Sequence, residues 1–179
     1  MRKTLLSFLV LAAALGVFLL ISYQKKEFVS LKNVTVVPYG NVAHNQNMGE
    51  IVRFAKDGKW GVAKKHNGEV LIKPEYEDID NFYEGYAVIK KDDKYGAVDE
   101  QFNIVIEPTW DYMSQFHLGY AVVMAKNKKF GVIDVNGKII IKPLYYDYIS
   151  SFDDNFVANA KNIKDGKDVL IDLRGNVIQ

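Results

Sequence analysis

Residues 129–143 read KFGVIDVNGKIIIKP, which predicts a strand, an Asn-Gly turn, a second strand and a proline stop. β-Branched and aromatic residues favour strands. Asn136-Gly137 favours a tight hairpin turn, because both residues tolerate positive φ angles. Related stretches begin at Lys59 and Lys94 and also end in proline. In the middle copy Phe102-Asn103 replaces the Asn-Gly turn, so a different turn geometry is expected there.

Aromatic-glycine pairs recur every 35 residues, and a phenylalanine recurs in each connector between copies. A copy contains three candidate strands: a leading strand such as 120–124, a glycine strand that carries the aromatic-glycine pair, and an aliphatic strand such as 139–141. Self-similarity at this period indicates units that bury their apolar faces against neighbouring copies. The pairs are Trp60-Gly61, Tyr95-Gly96 and Phe130-Gly131, and the connector phenylalanines are Phe82, Phe116 and Phe152.

The predicted fold class is all-β. Tandem three-stranded β-meanders of about 35 residues would stack as a solenoid- or propeller-like array, preceded by one N-terminal transmembrane helix. Residues 50–179 form the repeat domain in this interpretation. Its units are expected at about 50–74, 85–108, 119–143 and 155–179.

The motifs KWGV, NGEVLIKPEYEDI and FYEGYAV, all within residues 59–88, resemble the bacterial WG-repeat family. The resemblance covers residues 50–179, and the first three copies are specific. The fourth departs from the pattern, because Asp168-Val169 stand where the aromatic-glycine pair is expected. A capping unit with a polar outer face would explain that departure. The resemblance implies a β-rich tandem-repeat protein, often exported or surface-associated, with no shared catalytic residues and no general ligand.

Residues 1–23 are predicted to form a membrane anchor, because an almost unbroken apolar stretch follows Arg2 and Lys3. As a helix, residues 4–22 would span about 28 Å, close to the hydrocarbon thickness of about 30 Å. A cleavable signal sequence is the alternative, but no small-x-small cleavage site follows the stretch. The charge bias across the span is slight. We expect the N-terminus inside and the repeats on the extracytoplasmic face, in a periplasm or at the cell surface.

Residues 24–49 are predicted to form a polar spacer between the anchor and the repeats. The β-branched run at 34–37 favours a short strand within 32–37. Pro38 would end that strand.

The repeated aromatic residues have two interpretations. Burial between units is expected first, because large aromatic side chains favour cores. A glycine weakens a strand unless another group must approach it closely, and an aromatic ring such as Tyr76 or Phe82 is expected against Gly61. The alternative is an aromatic cage for sugars or quaternary ammonium groups, which needs two or three rings exposed together. A further aromatic residue follows each proline by two positions: Tyr76, Trp110 and Tyr145.

Charge separates along each predicted unit. The turns between leading and glycine strands are rich in lysine and the connectors are acidic, so stacking would give one basic and one acidic edge. Solvated turns that protect strand edges are the plain interpretation. A basic surface for an anionic polymer or lipid headgroups is the functional one, and calcium at the connectors is a remote alternative. The candidate contact lysines are Lys91, Lys94, Lys126, Lys128 and Lys129.

The sequence contains no catalytic constellation. Its three histidines, His44, His66 and His117, share no motif, which argues against a zinc site or a His-based triad. An aspartate ends the glycine strand in three units, and such repetition predicts a structural hydrogen bond to the adjacent turn. These aspartates are Asp99, Asp134 and Asp172. We therefore expect no enzyme activity, no cofactor and no metal, and a net charge of +1 gives no field for nucleic acid.

Two functions remain open from the sequence. The first is a membrane-anchored, non-catalytic binding or scaffold module that contacts another protein or a cell-envelope polymer. The second is a structural accessory subunit of a larger membrane or envelope complex. An envelope glycan-active enzyme is a remote third, because paired carboxylates at one site are missing. Exposed aromatic residues clustered on one face would favour the first function, and a large apolar patch on the terminal unit would favour the second.

Overall fold

The computed structural model describes residues 26–38 and 50–178. Backbone hydrogen bonds organise these residues into fourteen strands and one short helical turn, Leu31–Asn33. The strands are β1 (Thr35–Pro38), β2 (Ile51–Lys56), β3 (Lys59–Lys64), β4 (Val70–Tyr76), β5 (Asp78–Ile79), β6 (Tyr86–Lys91), β7 (Lys94–Asp99), β8 (Ile104–Trp110), β9 (Tyr112–Met113), β10 (Tyr120–Met124), β11 (Phe130–Asp134), β12 (Ile139–Ile149), β13 (Val157–Asn162) and β14 (Asp168–Asp172).

The strands form antiparallel sheets whose order follows the chain. The first sheet has the order β1-β2-β3-β4 and the second β5-β6-β7-β8, while the third runs from β9 to β14. The third sheet covers two predicted units, because the long β12 pairs first with β11 and then with β13. The prediction of an all-β repeat architecture is confirmed.

Each predicted meander gains a fourth, short strand. β5 pairs with β6, and β9 pairs with β10 in the same way. In the first sheet β1 takes this position, which brings part of the predicted spacer into the repeat array. We call β5, β9 and residues 148–149 of β12 the crossing strands, because each continues an aliphatic strand into the next sheet. The connectors predicted between units are therefore partly sheet.

Each aliphatic strand bulges over the glycine of its neighbouring glycine strand. The register of β3 and β4 shifts between Trp60 and Val62. A Cβ atom on Gly61 would lie 2.6 Å from the Ile72 carbonyl oxygen and 2.9 Å from the Pro74 nitrogen. Backbone, and not the expected aromatic ring, approaches this glycine. The proline lies inside the strand, so the predicted proline stop is wrong; its missing N–H is tolerated because it falls in a bulge.

The bulge in β12 is one residue longer than the bulges in β4 and β8. Trp60 and Tyr95 pair with the aromatic residue two positions after the proline, whereas Phe130 pairs with Tyr146. Tyr146 is therefore buried in the position that the sequence predicted for Tyr145, and the Tyr145 side chain is exposed.

The middle turn keeps the geometry of the Asn-Gly turns, so the predicted difference is wrong. Phe102 adopts a φ of 64°, close to the 76° of Gly137 in the third copy. The Asp99 N–H donates to the Asn103 carbonyl oxygen at 3.0 Å, as the corresponding residues do in that copy. The Phe102 ring meets the edge of Phe82 at 5.9 Å. This packing offsets the strain of a left-handed non-glycine residue.

Hydrophobic cores lie between successive sheets. In β6, Ala87 and Ile89 pack towards the first sheet, while Val88 packs towards the next. Successive side chains of a strand point to opposite faces, so each inner strand contributes to two cores. The expectation that the connector phenylalanines fill these cores is confirmed, since all three are buried: Phe82, Phe116 and Phe152.

Residues 26–38 hold both edges of the first sheet. β1 pairs with β2 along one edge. At the other edge the Val29 N–H donates to the Gly68 carbonyl oxygen and the Val70 N–H donates to the Glu27 carbonyl oxygen, both at 2.9 Å. The chain just before the repeats is thus fixed to them at two places.

An ion cluster fastens the same segment. The buried Glu69 carboxylate meets the ammonium of Lys26 at 2.7 Å and that of Lys64 at 2.8 Å. These two contacts, Lys26 first, lower the pKa of Glu69 from 4.5 to about 2. The cluster replaces the aspartate that caps this turn in the other copies.

Within the described residues, no helix has the length and apolar character needed to cross a membrane. The predicted anchor, residues 1–23, and most of the predicted spacer lie outside these residues.

Candidate functional site: an aromatic groove with an ion-paired rim

The aromatic-glycine pairs place their rings at the margin of the cores. The glycines Gly61, Gly96 and Gly131 are buried under the bulges, while Trp60, Tyr95 and Phe130 are half-buried. The backbone approaches Gly131 equally closely, because a Cβ atom there would lie 2.5 Å from the Ile141 carbonyl oxygen. The glycines are a steric requirement of the fold, and each half-buried ring still shows one side to solvent.

Crossing strands insert further rings between these half-buried ones. Tyr112 lies 6.2 Å from Tyr95 and 6.1 Å from Phe130, and Tyr148 lies 6.0 Å from Phe130, measured between ring centroids. Neighbouring ring planes are inclined by 56–61°. Tyr112 is 41% exposed and Tyr148 is 50% exposed. We call these four residues the aromatic row.

A groove of about 400 Å³ opens along this row. Tyr112, Phe130 and Tyr148 form its aromatic wall, and Met124 lies beside them because it pairs with both Tyr112 and Phe130 across the sheet. Val122 and Ile149 add apolar surface. We call this feature the aromatic groove.

A second hollow of about 550 Å³ adjoins the aromatic groove and shares Tyr112, Ser114 and Ser151 with it. Its remaining walls carry polar groups from the connectors. In one of them the Gln115 amide Nε2 donates to Asp80 Oδ2 at 2.8 Å. We call this hollow the polar depression; its other polar or exposed lining residues are Tyr83 and His117.

The sequence profile of the WG containing repeat matches residues 60–95, 95–130 and 130–167. The chain belongs to the WG-containing repeat family. Each matched WG repeat runs from one glycine strand to the next, so it joins the last two strands of one sheet to the crossing and leading strands that follow. The resemblance predicted from the sequence is confirmed for these three copies.

The chain is similar over part of its length to three solved structures of other proteins. The computationally designed Ika8 protein has a TM-score of 0.43 and 16% identity, over 73% of this chain and 45% of that one. For KlHsv2 the TM-score is 0.46 and the identity 11%, over 80% of this chain and 50% of that one. For the WD40 β-propeller domain of Doa1 the TM-score is 0.41 and the identity 15%, over 73% of this chain and 50% of that one. The WG-repeat chain thus spans about half the length of these proteins. Comparison with curated proteins gives no match.

A lysine-carboxylate pair recurs beside the glycine strand of the first three WG repeats. Lys59 meets Glu77 at 2.8 Å and Lys129 meets Asp147 at 2.5 Å, while Lys94 pairs with Asp111. In each pair, the lysine at the start of a glycine strand contacts a carboxylate in the connector that follows that strand and its aliphatic partner. The predicted separation into a basic and an acidic edge is wrong, because the stacking brings the two kinds of charge into contact.

Asp111 at the rim of the aromatic groove binds two lysines. Lys128 reaches its Oδ2 at 2.6 Å and Lys94 its Oδ1. Hydrogen bonds from these ammonium groups, Lys128 first, lower the pKa of Asp111 from 3.8 to about 2. The carboxylate is thus ionised and paired at neutral pH.

The candidate contact lysines differ in their surroundings. Four of the five form ion pairs, since Lys91 pairs with Glu75 and the others pair as described above. Lys126 forms no ion pair within the described residues and is exposed. The structure therefore gathers three of these lysines, Lys94, Lys128 and Lys129, near the aromatic row.

The aspartates at the ends of the glycine strands cap their turns, as predicted. Oδ1 of Asp134 accepts the N–H groups of Asn136 and Lys138 at 2.9 Å. Asp99 and Asp172 make the corresponding bonds. His66 lies in the first of these turns, His117 lies in a connector, and His44 lies outside the described residues. The described residues contain no group of His, Asp or Glu arranged to hold a metal ion.

Sequence reasoning missed Tyr112, Met124 and Tyr148. The crossing position holds Asp78 in the first connector and tyrosine in the next two. Alignment of the three connectors could have shown this variable position. Without the crossing strands, however, nothing in the sequence placed it beside the aromatic-glycine pairs.

Proposed function

We propose that this WG-repeat protein is a non-catalytic binding module whose aromatic groove contacts another protein or a cell-envelope polymer. The observation that carries the proposal is the exposure of Tyr112 and Tyr148 beside Phe130. Exposed tyrosines over an apolar floor are characteristic of recognition surfaces, where aromatic residues contribute much of the binding energy.

The fold does not require these two tyrosines. The equivalent crossing position in the second sheet holds Asp78, and its backbone pairs with β6 in the same manner. A side chain that the fold leaves free, and that exposes a large aromatic ring in two successive units, is better explained by a ligand than by packing.

The proposal includes a membrane anchor at residues 1–23 and an extracytoplasmic array, for which the apolar stretch in the sequence is the support. The docking of residues 26–38 onto the first sheet would then hold the array close to the membrane surface. Carbonate extraction of native membranes tests the anchor, and protease digestion of spheroplasts, whose outer envelope has been opened, tests the orientation. An array released by carbonate, or protected in intact spheroplasts, would contradict this part of the proposal.

Binding is tested by retention of native membrane and envelope material on the immobilised full-length chain. The groove variant carries Tyr112→Ala and Tyr148→Ala. The control is Tyr145→Ala, because the Tyr145 side chain is also exposed but lies outside the groove. We expect the wild type and the control to retain the same material and the groove variant to lose it. Equal retention by all three proteins would refute a role for the groove.

A second candidate function is that of an accessory subunit in a larger membrane or envelope complex. Leu144 and Ile163 are exposed on the last described sheet, and a hydrogen bond of 3.1 Å from the Ile163 N–H to the carbonyl oxygen of residue 145 brings their two segments together. This apolar surface favours assembly with another chain. Co-purification of a stoichiometric partner that is lost with Leu144→Asp, but kept in the groove variant, would support it. Retention of envelope polymer alone would refute it.

A further inference from the structure

We infer that the ligand of the aromatic groove is a glycan chain, which lies along the aromatic groove and continues into the polar depression. The inference rests on the proposed binding function and names the chemical class of the ligand. It follows from the hydrogen-bonding state of the groove, from its shape and from its balance of charge.

The aromatic wall suits the face of a sugar ring. The face of an aromatic ring carries partial negative charge, so it attracts the polarised C–H groups on the apolar side of a pyranose. Tyr112 and Tyr148 offer such faces on either side of Phe130. Their hydroxyl groups can both donate and accept hydrogen bonds.

Two serines in the groove donate their hydroxyl protons within the protein. The Ser114 hydroxyl donates to the Gln115 carbonyl oxygen, and the Ser150 hydroxyl donates to the Ser151 carbonyl oxygen, both at 2.9 Å. Each hydroxyl also accepts one backbone N–H, from Val122 and Asn159 respectively. A hydroxyl oxygen accepts two hydrogen bonds, so each serine retains one acceptor site and needs a ligand that donates.

This requirement separates a glycan from a proline-rich peptide, the other polymer that binds aromatic-lined grooves. Proline has no N–H, so such a peptide presents mainly carbonyl acceptors. Sugar hydroxyl groups both donate and accept. The remaining lone pairs of Ser114, Ser150 and Asp111 therefore match sugar hydroxyls better than they match polyproline.

The polar depression extends the site beyond a single sugar. It meets the aromatic groove at Tyr112, Ser114 and Ser151, so the two hollows lie on either side of one tyrosine. Within the described residues, Gln115 donates one Nε2 proton to Asp80 and keeps its second Nε2 proton and its side-chain oxygen Oε1 for a ligand. An amide next to a carboxylate can hold neighbouring hydroxyl groups. The pair of hollows thus suits a chain of sugars.

The charge at the rim disfavours a cationic ligand such as a quaternary ammonium group. Lys94 and Lys128 flank Asp111, and Lys129 pairs with Asp147, which leaves one positive charge in excess. Cation-π capture needs an aromatic cage without competing ammonium groups. A neutral or weakly acidic glycan meets no such repulsion.

The test uses the full-length chain in detergent with three probes: a hexamer of β-linked N-acetylglucosamine, a hexamer of mannuronic acid, and a polyproline peptide of similar length. Binding is measured by calorimetry for the wild type, Tyr112→Ala, Tyr148→Ala, Tyr112→Phe and the control Tyr145→Ala. We expect a glycan hexamer to bind and each alanine groove variant to bind about tenfold more weakly. The Phe variant, which keeps the ring but loses the hydroxyl group, should bind more tightly than Tyr112→Ala and more weakly than the wild type, and the control should keep the wild-type affinity.

Methyl NMR of isotope-labelled methionine shows where a probe binds. Met124 lies in the aromatic groove, whereas Met113 is buried and lines the polar depression. A glycan bound in the groove should shift the Met124 methyl signal, and one that continues into the polar depression should shift that of Met113 as well.

The salt dependence of binding distinguishes two classes of glycan. If the mannuronic acid hexamer binds more tightly and its affinity falls with salt, the ligand is an acidic glycan. If the N-acetylglucosamine hexamer binds more tightly and its affinity does not depend on salt, the ligand is a neutral glycan.

The outcomes separate this inference from the proposed function. Polyproline that shifts Met124 when neither glycan does would overturn the glycan assignment and keep the binding module. Failure of all three probes, with groove-dependent retention of native material, would also overturn it. Failure of the probes together with groove-independent retention would overturn both.

Discussion

The repeated and the variable positions of the array lie in different surroundings. Connector phenylalanines repeat in all three connectors and the glycines of the aromatic-glycine pairs repeat in the first three copies, and both are buried between or under strands. The crossing position varies, with aspartate at 78 and tyrosine at 112 and 148, and its side chains are exposed. Under the proposed function, the repeated positions determine the fold and the variable positions carry recognition.

Two junctions of the array make the difference concrete. Where the second sheet begins, Asp78 pairs with Lys90, whose ammonium lies 5.7 Å from the centre of the Tyr95 ring. Where the third sheet begins, Tyr112 pairs with Met124. The backbone pairing is the same, so a charged junction and an aromatic one are alternatives on one scaffold. The comparison predicts that stability and binding depend on separate residues.

The largest loss of stability is expected at a repeated core position. Phe82→Ala removes a buried ring that packs between the first two sheets and against Phe102. We expect a decrease of about 3–5 kcal/mol in the free energy of unfolding, measured by urea denaturation. Phe82→Leu, which keeps most of the volume, should recover much of it. A loss below about 1 kcal/mol would contradict the idea that the repeated positions carry the stability of the array.

A smaller loss is expected where a repeated glycine lies under a bulge. A Cβ atom on Gly131 would lie 2.5 Å from the Ile141 carbonyl oxygen and 2.9 Å from the Pro143 nitrogen. Gly131→Ala should therefore lower the free energy of unfolding by up to about 3 kcal/mol through steric strain. The control is Gly119→Ala, where the Cβ atom meets no neighbour and only the positive φ is unfavourable, at about 1 kcal/mol. If the two variants lose the same free energy of unfolding, the bulge over Gly131 can move to accommodate a Cβ atom without strain.

Much of the fold follows from local sequence. Alternating apolar residues, the turn glycines and the capping aspartates act within a few residues of one another, so the strands of each unit were predictable. The bulges were not, because Pro74 and its equivalents look like strand stops until the close approach to Gly61 is seen. The one-residue insertion that moves Tyr146 into the core was hidden for the same reason.

The candidate site was less predictable because it forms between units. The sequence identified Phe130, Lys94 and Lys128 as residues of interest, but it could not place Tyr112 or Tyr148 beside them. That placement depends on the crossing strands, which take their partners from the following sheet. Pairing of the lysines with connector carboxylates depends on the same stacking. Contacts between units are set by the array and not by any one repeat.

The turn caps give a third, intermediate effect. Asp134→Ala removes the acceptor of two backbone N–H groups, from Asn136 and Lys138. We expect the free energy of unfolding to fall by about 1 kcal/mol. Asp134→Asn keeps an acceptor oxygen and should lose less. If the two variants are equally unstable, charge and not the hydrogen bond matters at this repeated position.

The rim of the groove gives a pH-dependent effect. Because the pKa of Asp111 falls from 3.8 to about 2 on folding, its ion pairs stabilise the protein fully above pH about 4 and are lost as the pH falls through about 2. The wild type should therefore melt at a higher temperature than Asp111→Asn at neutral pH, and the difference should shrink below pH about 4. Thermal melts across this range measure it. A difference that persists at the lowest pH would show that shape, and not charge, stabilises the rim.

The smallest effect on stability is expected at the groove itself. The Tyr148 side chain is half exposed and touches one ring of the aromatic row, so Tyr148→Ala should change the free energy of unfolding by about 0.5 kcal/mol or less. Tyr145→Ala, on the outer surface of the same strand, should behave alike in denaturation. The two variants should differ only in ligand retention, which Tyr148→Ala loses. A protein that keeps its fold while losing its ligand at a variable position is the result that the division of roles requires. If Tyr148→Ala instead loses as much stability as a core variant such as Phe82→Ala, the tyrosines of the crossing strands stabilise the fold, and their exposure no longer supports a binding role for the groove.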